Sequence, residues 1–167
     1  MPVSHNKYLA TAAALLAAAF TCGLSQPARA DDDAAMKKLQ GTWVVTSAVY
    51  DGMPLNSAKG AKFKFTGDKV EMSINGKNAP FHVKIDTSAK PHHIDFVLTE
   101  DAEEKMPPLL AVFQFAGEKL KLVISGNEVS ESINDEGEKV RTVTAGKRPT
   151  ALDSKQGMLT TLERVKE

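Results

Sequence analysis

Three of the four histidines crowd into one short stretch with two aspartates: His82, Asp86, His92, His93 and Asp95. In an extended chain alternate side chains share a face, so His93 and Asp95 point the same way. Pairing 81–85 with 92–98 so that every apolar residue faces inward sets Val83 opposite Ile94 and Phe81 opposite Phe96. That register predicts His82 opposite Asp95 and Lys84 opposite His93, all on the outer surface. His82, His93 and Asp95 then offer nitrogen and oxygen ligands of the kind zinc or copper takes. The competing reading is a solvated set of cross-strand charge pairs, His82 with Asp95 foremost. The chain has no helix-based His-x-x-x-His spacing to argue for the metal, so neither a metal nor a cofactor is expected.

Other chemistry is hard to assemble. The acidic stretches are Glu100, Asp101, Glu103 and Glu104, then Glu128, Glu131, Asp135, Glu136 and Glu138. The segment Asn134-Asp135-Glu136-Gly137-Glu138 lacks the length and alternating oxygens of a calcium loop, and such runs are usually exposed loops. Ser47 and Ser125-Gly126 have no nucleophile elbow around them. No phosphate loop, dinucleotide fingerprint or paired-carboxylate signature is present, and no constellation of catalytic residues emerges. The formal net charge of zero gives no electrostatic case for nucleic acid.

The 167 residues are enough for one domain with a real core. Residues 1–30 stand apart: His5 and Lys7 form a short basic start, an Ala/Leu run follows from Leu9 to Phe20, and Ala28-Arg29-Ala30 precedes Asp31-Asp32-Asp33. This is the layout of a secretory signal peptide cleaved after Ala30, with an apolar run too short to span a membrane. It predicts a secreted or periplasmic protein. The rival use of the segment, lipidation at Cys22, is disfavoured by Phe20 in the preceding Ala19-Phe20-Thr21. Cleavage after Ala30 would remove the single cysteine, leaving no disulfide and no thiol chemistry. It would also remove Lys7 and Arg29, taking the basic count from 21 to 19 against 21 acidic residues.

The elements that must carry these residues are strands. A helix of one or two turns is predicted over 34–39, started by Asp31 to Asp33 and stopped by Gly41. Strand 43–50 alternates, with Trp43, Val45, Ser47 and Val49 on one face. Phe63 and Phe65, then Val70, Met72 and Ile74, alternate with charged residues around Gly67-Asp68. A two-residue turn there pairs Phe65 with Val70, Phe63 with Met72 and Lys64 with Glu71. Asn75-Gly76 predicts a second hairpin returning through 81–85. Residues 109–115 and 119–124 form another around Gly117-Glu118, with Phe115 opposite Leu120, Phe113 opposite Leu122 and Ala111 opposite Ile124. Residues 125–138 are polar and acidic with a loose strand at 129–133. Weak strands follow at 140–144 and from Arg148, and 158–165 closes the chain. Eight to ten short antiparallel strands joined by tight turns predict one domain over 31–167, an all-β, up-and-down barrel whose closure removes the sheet edges.

The helical turn, Gly41-Thr42-Trp43 opening the first strand and Arg164 in the last resemble the lipocalin and calycin barrels. In those folds the Trp and the basic residue pack together at the closed end, which implies Trp43 and Arg164 as a structural pair at the barrel floor. More closely, the chain resembles an uncharacterised secreted domain family numerous in planctomycete bacteria. The matching stretches are Leu39-Gln40-Gly41-Thr42-Trp43, Tyr50-Asp51-Gly52 with Pro54-Leu55, Lys62 to Val70, Ile94-Asp95, Leu120-Lys121-Leu122, Arg148-Pro149-Thr150 and Leu162-Glu163-Arg164. This chain departs from the family in its longer acidic insertion between Ser125 and Thr144. The family has no known activity to carry over, and fold alone does not supply one.

Two uses of such a barrel remain open. The inward candidates Val45, Ser47, Phe63, Phe65, Met72, Phe81, Phe96, Phe113 and Phe115 either line a cavity for one small apolar molecule or fill the interior. The first makes the protein a binding module. The second makes it an envelope or extracellular interaction domain. A hydrolase with an unrecognised site is a third reading, and polar side chains converging inside the barrel would favour it.

Overall fold

The computed structural model describes residues 28–74, 76–99 and 106–166. The apolar leader run, Cys22 and the acidic residues Glu100 to Glu104 lie outside the described residues. The helix α1 (Ala28–Leu39) is longer than the one or two turns expected. Alanines at 28, 30, 34 and 35 give it high intrinsic propensity. It also crosses the expected cleavage point after Ala30. Asp32 does not cap it: its Oδ1 accepts from Thr87 N and Oγ1 at 2.8 and 2.7 Å, tying the helix to a turn of the sheet.

The strands are β1 (Gly41–Tyr50), β2 (Met53–Pro54), β3 (Lys62–Thr66), β4 (Lys69–Ile74), β5 (Lys77–Asp86), β6 (His92–Leu98), β7 (Leu109–Ala116), β8 (Lys119–Ile124), β9 (Glu128–Ile133), β10 (Lys139–Thr144) and β11 (Met158–Arg164). Neighbours pair in the order β11-β8-β7-β6-β5-β4-β3-β1, and β11 pairs again with β1. The result is a closed, eight-stranded antiparallel barrel. The short β2 pairs with the end of β1, while β9 and β10 form a separate two-stranded hairpin with mostly exposed residues.

Alternation settled most of the register. β3 and β4 pair Phe65 with Val70, Phe63 with Met72 and Lys64 with Glu71. β7 and β8 pair Phe115 with Leu120, Phe113 with Leu122 and Ala111 with Ile124. Three expectations are corrected. β5 and β6 pair Val83 with Phe96, Ile85 with Ile94 and Lys84 with Asp95, two residues away from the expected register. A slide of two leaves every side chain on its own face, so apolar patterning cannot detect it. The turn itself decides: Thr87 is held by Asp32, and His92 Nδ1 lies 3.0 and 3.1 Å from the carbonyls of Thr87 and Ala89. In β1, the pairing with β11 skips Thr46, whose Oγ1 donates to Thr161 O at 3.1 Å. This bulge reverses the alternation, so Ala48 is buried and Ser47 is turned out. Ser47 therefore lines no cavity. Finally, residues 145–157 contain no strand from Arg148 onward; they form a strap.

The core inside the barrel is aromatic. Trp43, Phe63, Phe65, Phe96 and Phe113 are at most 2% exposed, and Val45, Met72, Val83, Ile94, Leu120, Leu122 and Leu162 pack among them. Val112 and Val123 are also fully buried, but they alternate out of phase with the inner row and lie outside this cluster. They form a second apolar patch on the outer face. The strap crosses that face: Arg148 Nη1 donates to Ala111 O of β7 at 3.1 Å, and Pro149 is buried beside it. Gly146 is required by contact, since a Cβ there would lie 1.9 Å from the carbonyl oxygen of Gly126.

Candidate functional site

In a meander the connections alternate between the two ends of the barrel, so each end can be taken separately. One end carries α1 and the β3–β4, β5–β6 and β7–β8 turns. Leu39 is wholly buried there, with Ala35 and Met36 against the core. Trp43 Nε1 donates to Leu39 O at 2.7 Å, satisfying a carbonyl at the helix end that has no partner within the helix. Arg164 lies opposite Trp43 in the β1–β11 ladder, its guanidinium 4.4 Å from the indole centroid. Its Nη2 donates to Lys38 O at 2.5 Å and its Nη1 to Gln40 O. Lys38 Nζ covers the ring of Phe115 at 4.3 Å. Trp43 and Arg164 are thus brought together, as a plug that locks the helix terminus to the first and last strands. Trp43 Nε1 and both Arg164 terminal nitrogens are spent on backbone carbonyls around the helix end.

The other end carries the β4–β5 turn and the connections from β1 to β3, β6 to β7 and β8 to β11. It holds a recess of about 450 Å³. Its wall is apolar: Met72 and Ile74 from β4, Ala79 and Phe81 from β5, and Leu109 from β7. Lys77 and Asn78, both exposed, stand at its rim. Phe81 is half-buried and meets Phe96 edge-on, with 6.3 Å between centroids, so the recess abuts the aromatic core through Phe81. Of the expected lining residues, Met72 and Phe81 reach this recess. Val45, Phe63, Phe65, Phe96 and Phe113 are packed in the core, and Phe115 lies at the plugged end under Lys38. Its volume lies toward the low end of the range usual for small-molecule pockets.

The histidine cluster does not converge. His82 pairs in register with Val97 and Lys69, and its Nδ1 lies 3.5 Å from Asp68 Oδ2. His93 is opposite Asp86. Asp95 turns to Arg148, with Oδ1 2.6 Å from Nη1. That oxygen is fully buried and accepts no well-aligned hydrogen bond, so its contact with Arg148, which also donates from Nη1 to Ala111 O, is an ion pair. Among the described residues no group of three His, Cys, Asp or Glu side chains is placed to hold a metal. The expected cross-strand partner of His82 is replaced because the β5–β6 register slides by two.

Among the described residues the buried polar residues are Thr87, Ser125 and Thr160. Thr87 bonds Asp32, Ser125 Oγ donates to Leu110 O at 2.7 Å, and Thr160 Oγ1 to Leu122 O at 3.2 Å. None of these bonds joins one of the three to another, and each hydroxyl is spent on an anchoring bond. Sequence reasoning missed the Arg148–Asp95 clamp and the outer patch beneath the strap. A signal existed. Leu109 to Phe113 and Leu122 to Ile124 are continuous apolar runs, and a strand apolar on both faces is covered on both.

The fold and its two ends define a closed, up-and-down antiparallel barrel, plugged at one end and recessed at the other. Comparison with family models, curated proteins and solved structures finds no match to this chain.

Proposed function

We propose that the protein is a secreted or periplasmic barrel of the planctomycete domain family described above, and that it binds a small apolar molecule at its recessed mouth. The observation that carries the binding reading is the apolar recess formed by Met72, Ile74, Ala79, Phe81 and Leu109 at the end away from the helix plug. The leader-like residues 1–30 support the address. Titration with the neutral apolar dye N-phenyl-1-naphthylamine tests the site. Saturable fluorescence enhancement is expected, and Ala79→Trp, which fills the recess from a half-buried position, should abolish it while leaving the thermal unfolding midpoint in place. Dye binding unaffected by that substitution would remove the recess from the reading. Native mass spectrometry of protein taken from its own cells would then identify a natural ligand, as a discrete added mass lost on denaturation. N-terminal sequencing of the same material tests cleavage after Ala30.

A second reading has its own observation. The β9–β10 hairpin exposes Val129, Ile133 and Val140 at 51, 71 and 39%, and a two-stranded hairpin alone is marginal in water. On this reading the filled barrel is a scaffold that presents the hairpin to an envelope or extracellular protein. Deletion of the hairpin would then abolish partner recovery and leave dye binding intact.

A further inference from the structure

Alternate residues of β5 face the barrel interior: Val83 is buried, Phe81 and Ala79 line the recess, and the next member of that row is Lys77. The ladder agrees, since opposed residues share a face. Val70 is opposite Phe81, Met72 opposite Ala79 and Ile74 opposite Lys77. The row therefore changes from apolar to cationic where it reaches solvent. The last strand has the same arrangement at the plugged end, where Leu162 is followed by Arg164. There the guanidinium is consumed by the carbonyls of Lys38 and Gln40. Lys77 makes no ion pair among the described residues. Behind the same turn a second recess of about 330 Å³ is lined by Lys59, Lys62, Ser73 and Gly76. Lys62 is opposite Ser73, which alternates with Ile74, so Lys62 belongs to the outer row beside the same turn and not to the inner row of Lys77.

We propose that the ligand of the mouth recess is an amphiphile with an anionic head, its chain against Met72, Ile74, Phe81 and Leu109 and its head on the Lys77 ammonium. This rests on the reading of the recess as a ligand site. A lysine suits the position because its aliphatic stem extends the apolar wall while its compact charge stays hydrated at the edge. Lys59 and Lys62, which line the separate recess beside the turn, add only a longer-range potential of the same sign, which falls off with salt.

The test compares decanoate, decanol and decyltrimethylammonium on the purified protein by calorimetry, below micelle-forming concentrations, with NMR shifts of the Met72 and Leu109 methyls locating the site. Decanoate is expected to bind about fivefold or more tightly than decanol, the scale of one partly solvated ion pair. Decyltrimethylammonium should bind most weakly. Lys77→Gln should abolish the decanoate advantage and leave decanol unchanged, whereas Lys64→Gln on the outer row should change neither. Equal binding of decanol and decanoate, or a decanoate preference that survives Lys77→Gln, overturns the proposal and leaves the apolar site standing. If no probe binds or shifts Met72, the site itself falls, and the proposal with it.

Discussion

Arg164 satisfies two carbonyls and covers an indole, although the residue itself is exposed. Lysine at this position keeps the charge but cannot supply two forked donors. Arg164→Lys is therefore expected to cost about 1–2 kcal/mol, discounted from the full value of charged hydrogen bonds because solvent reaches the pair. Denaturant unfolding monitored by Trp43 fluorescence measures it, and an unchanged midpoint would show that the plug contributes no stability through this residue. Asp86 offers a second residue-scale test. Its carboxyl titrates below the usual carboxylate range, first because the Ser88 hydroxyl donates to it, then because the Ser88 backbone N–H does. A depressed pKa means the turn's contribution is present above the ordinary carboxylate pKa and fades as pH falls through the lower, folded value. Ser88→Ala should raise the Asp86 pKa toward the usual range in an NMR titration.

At the scale of elements, the strap and the hairpin are predicted to behave oppositely. The strap is built in. Arg148 pairs with a buried oxygen of Asp95, and the β1–β2 turn is tied to it through Asp51 N to Ser154 O at 2.8 Å. Arg148→Ala leaves that oxygen without its cation and uncovers the patch over Val112 and Val123. A loss of about 1–3 kcal/mol is expected, since both side chains are roughly three-quarters buried. Asp95→Asn should rescue part of that loss, an outcome that separates the charge from the packing. Among the described residues no hydrogen bond or ion pair ties the β9–β10 hairpin to the barrel, and its residues are exposed or half-exposed. Proteolysis should cut first near Glu136 and Gly137, and the nicked protein should unfold within a few degrees of the intact one.

For the whole molecule, stability rests on one closed ring of strands around a few aromatic side chains. Phe113 is fully buried and contacts Phe115 edge-on at 5.7 Å and the His92 ring at 5.3 Å. Phe113→Ala should cost about 3–5 kcal/mol, a large share of the total for a domain of this size. Retention of the wild-type unfolding midpoint would mean the interior can collapse around the loss. Local patterning was enough for the class of fold, the helix-then-Trp43 opening and the two hairpins around Gly67 and Gly117. Each of these is local: a period of two and a two-residue turn specify which face a side chain takes and which residue it meets. Alternation also puts Arg164 on the same row as Leu162, while its pairing with Trp43 was implied by the resemblance to the lipocalin barrels. The remainder emerges only when the strands close on one another. A slide of two between β5 and β6 is invisible to alternation, and it separates His82 from Asp95. A bulge at Thr46 inverts the parity of half a strand and expels Ser47. Arg148 and Asp95 lie far apart in the chain, and their pairing depends on where a strap without periodicity crosses the barrel. Whether the aromatic row fills the interior or opens a recess depends on how eight strands close around it, and strand closure is a property no short window of sequence contains.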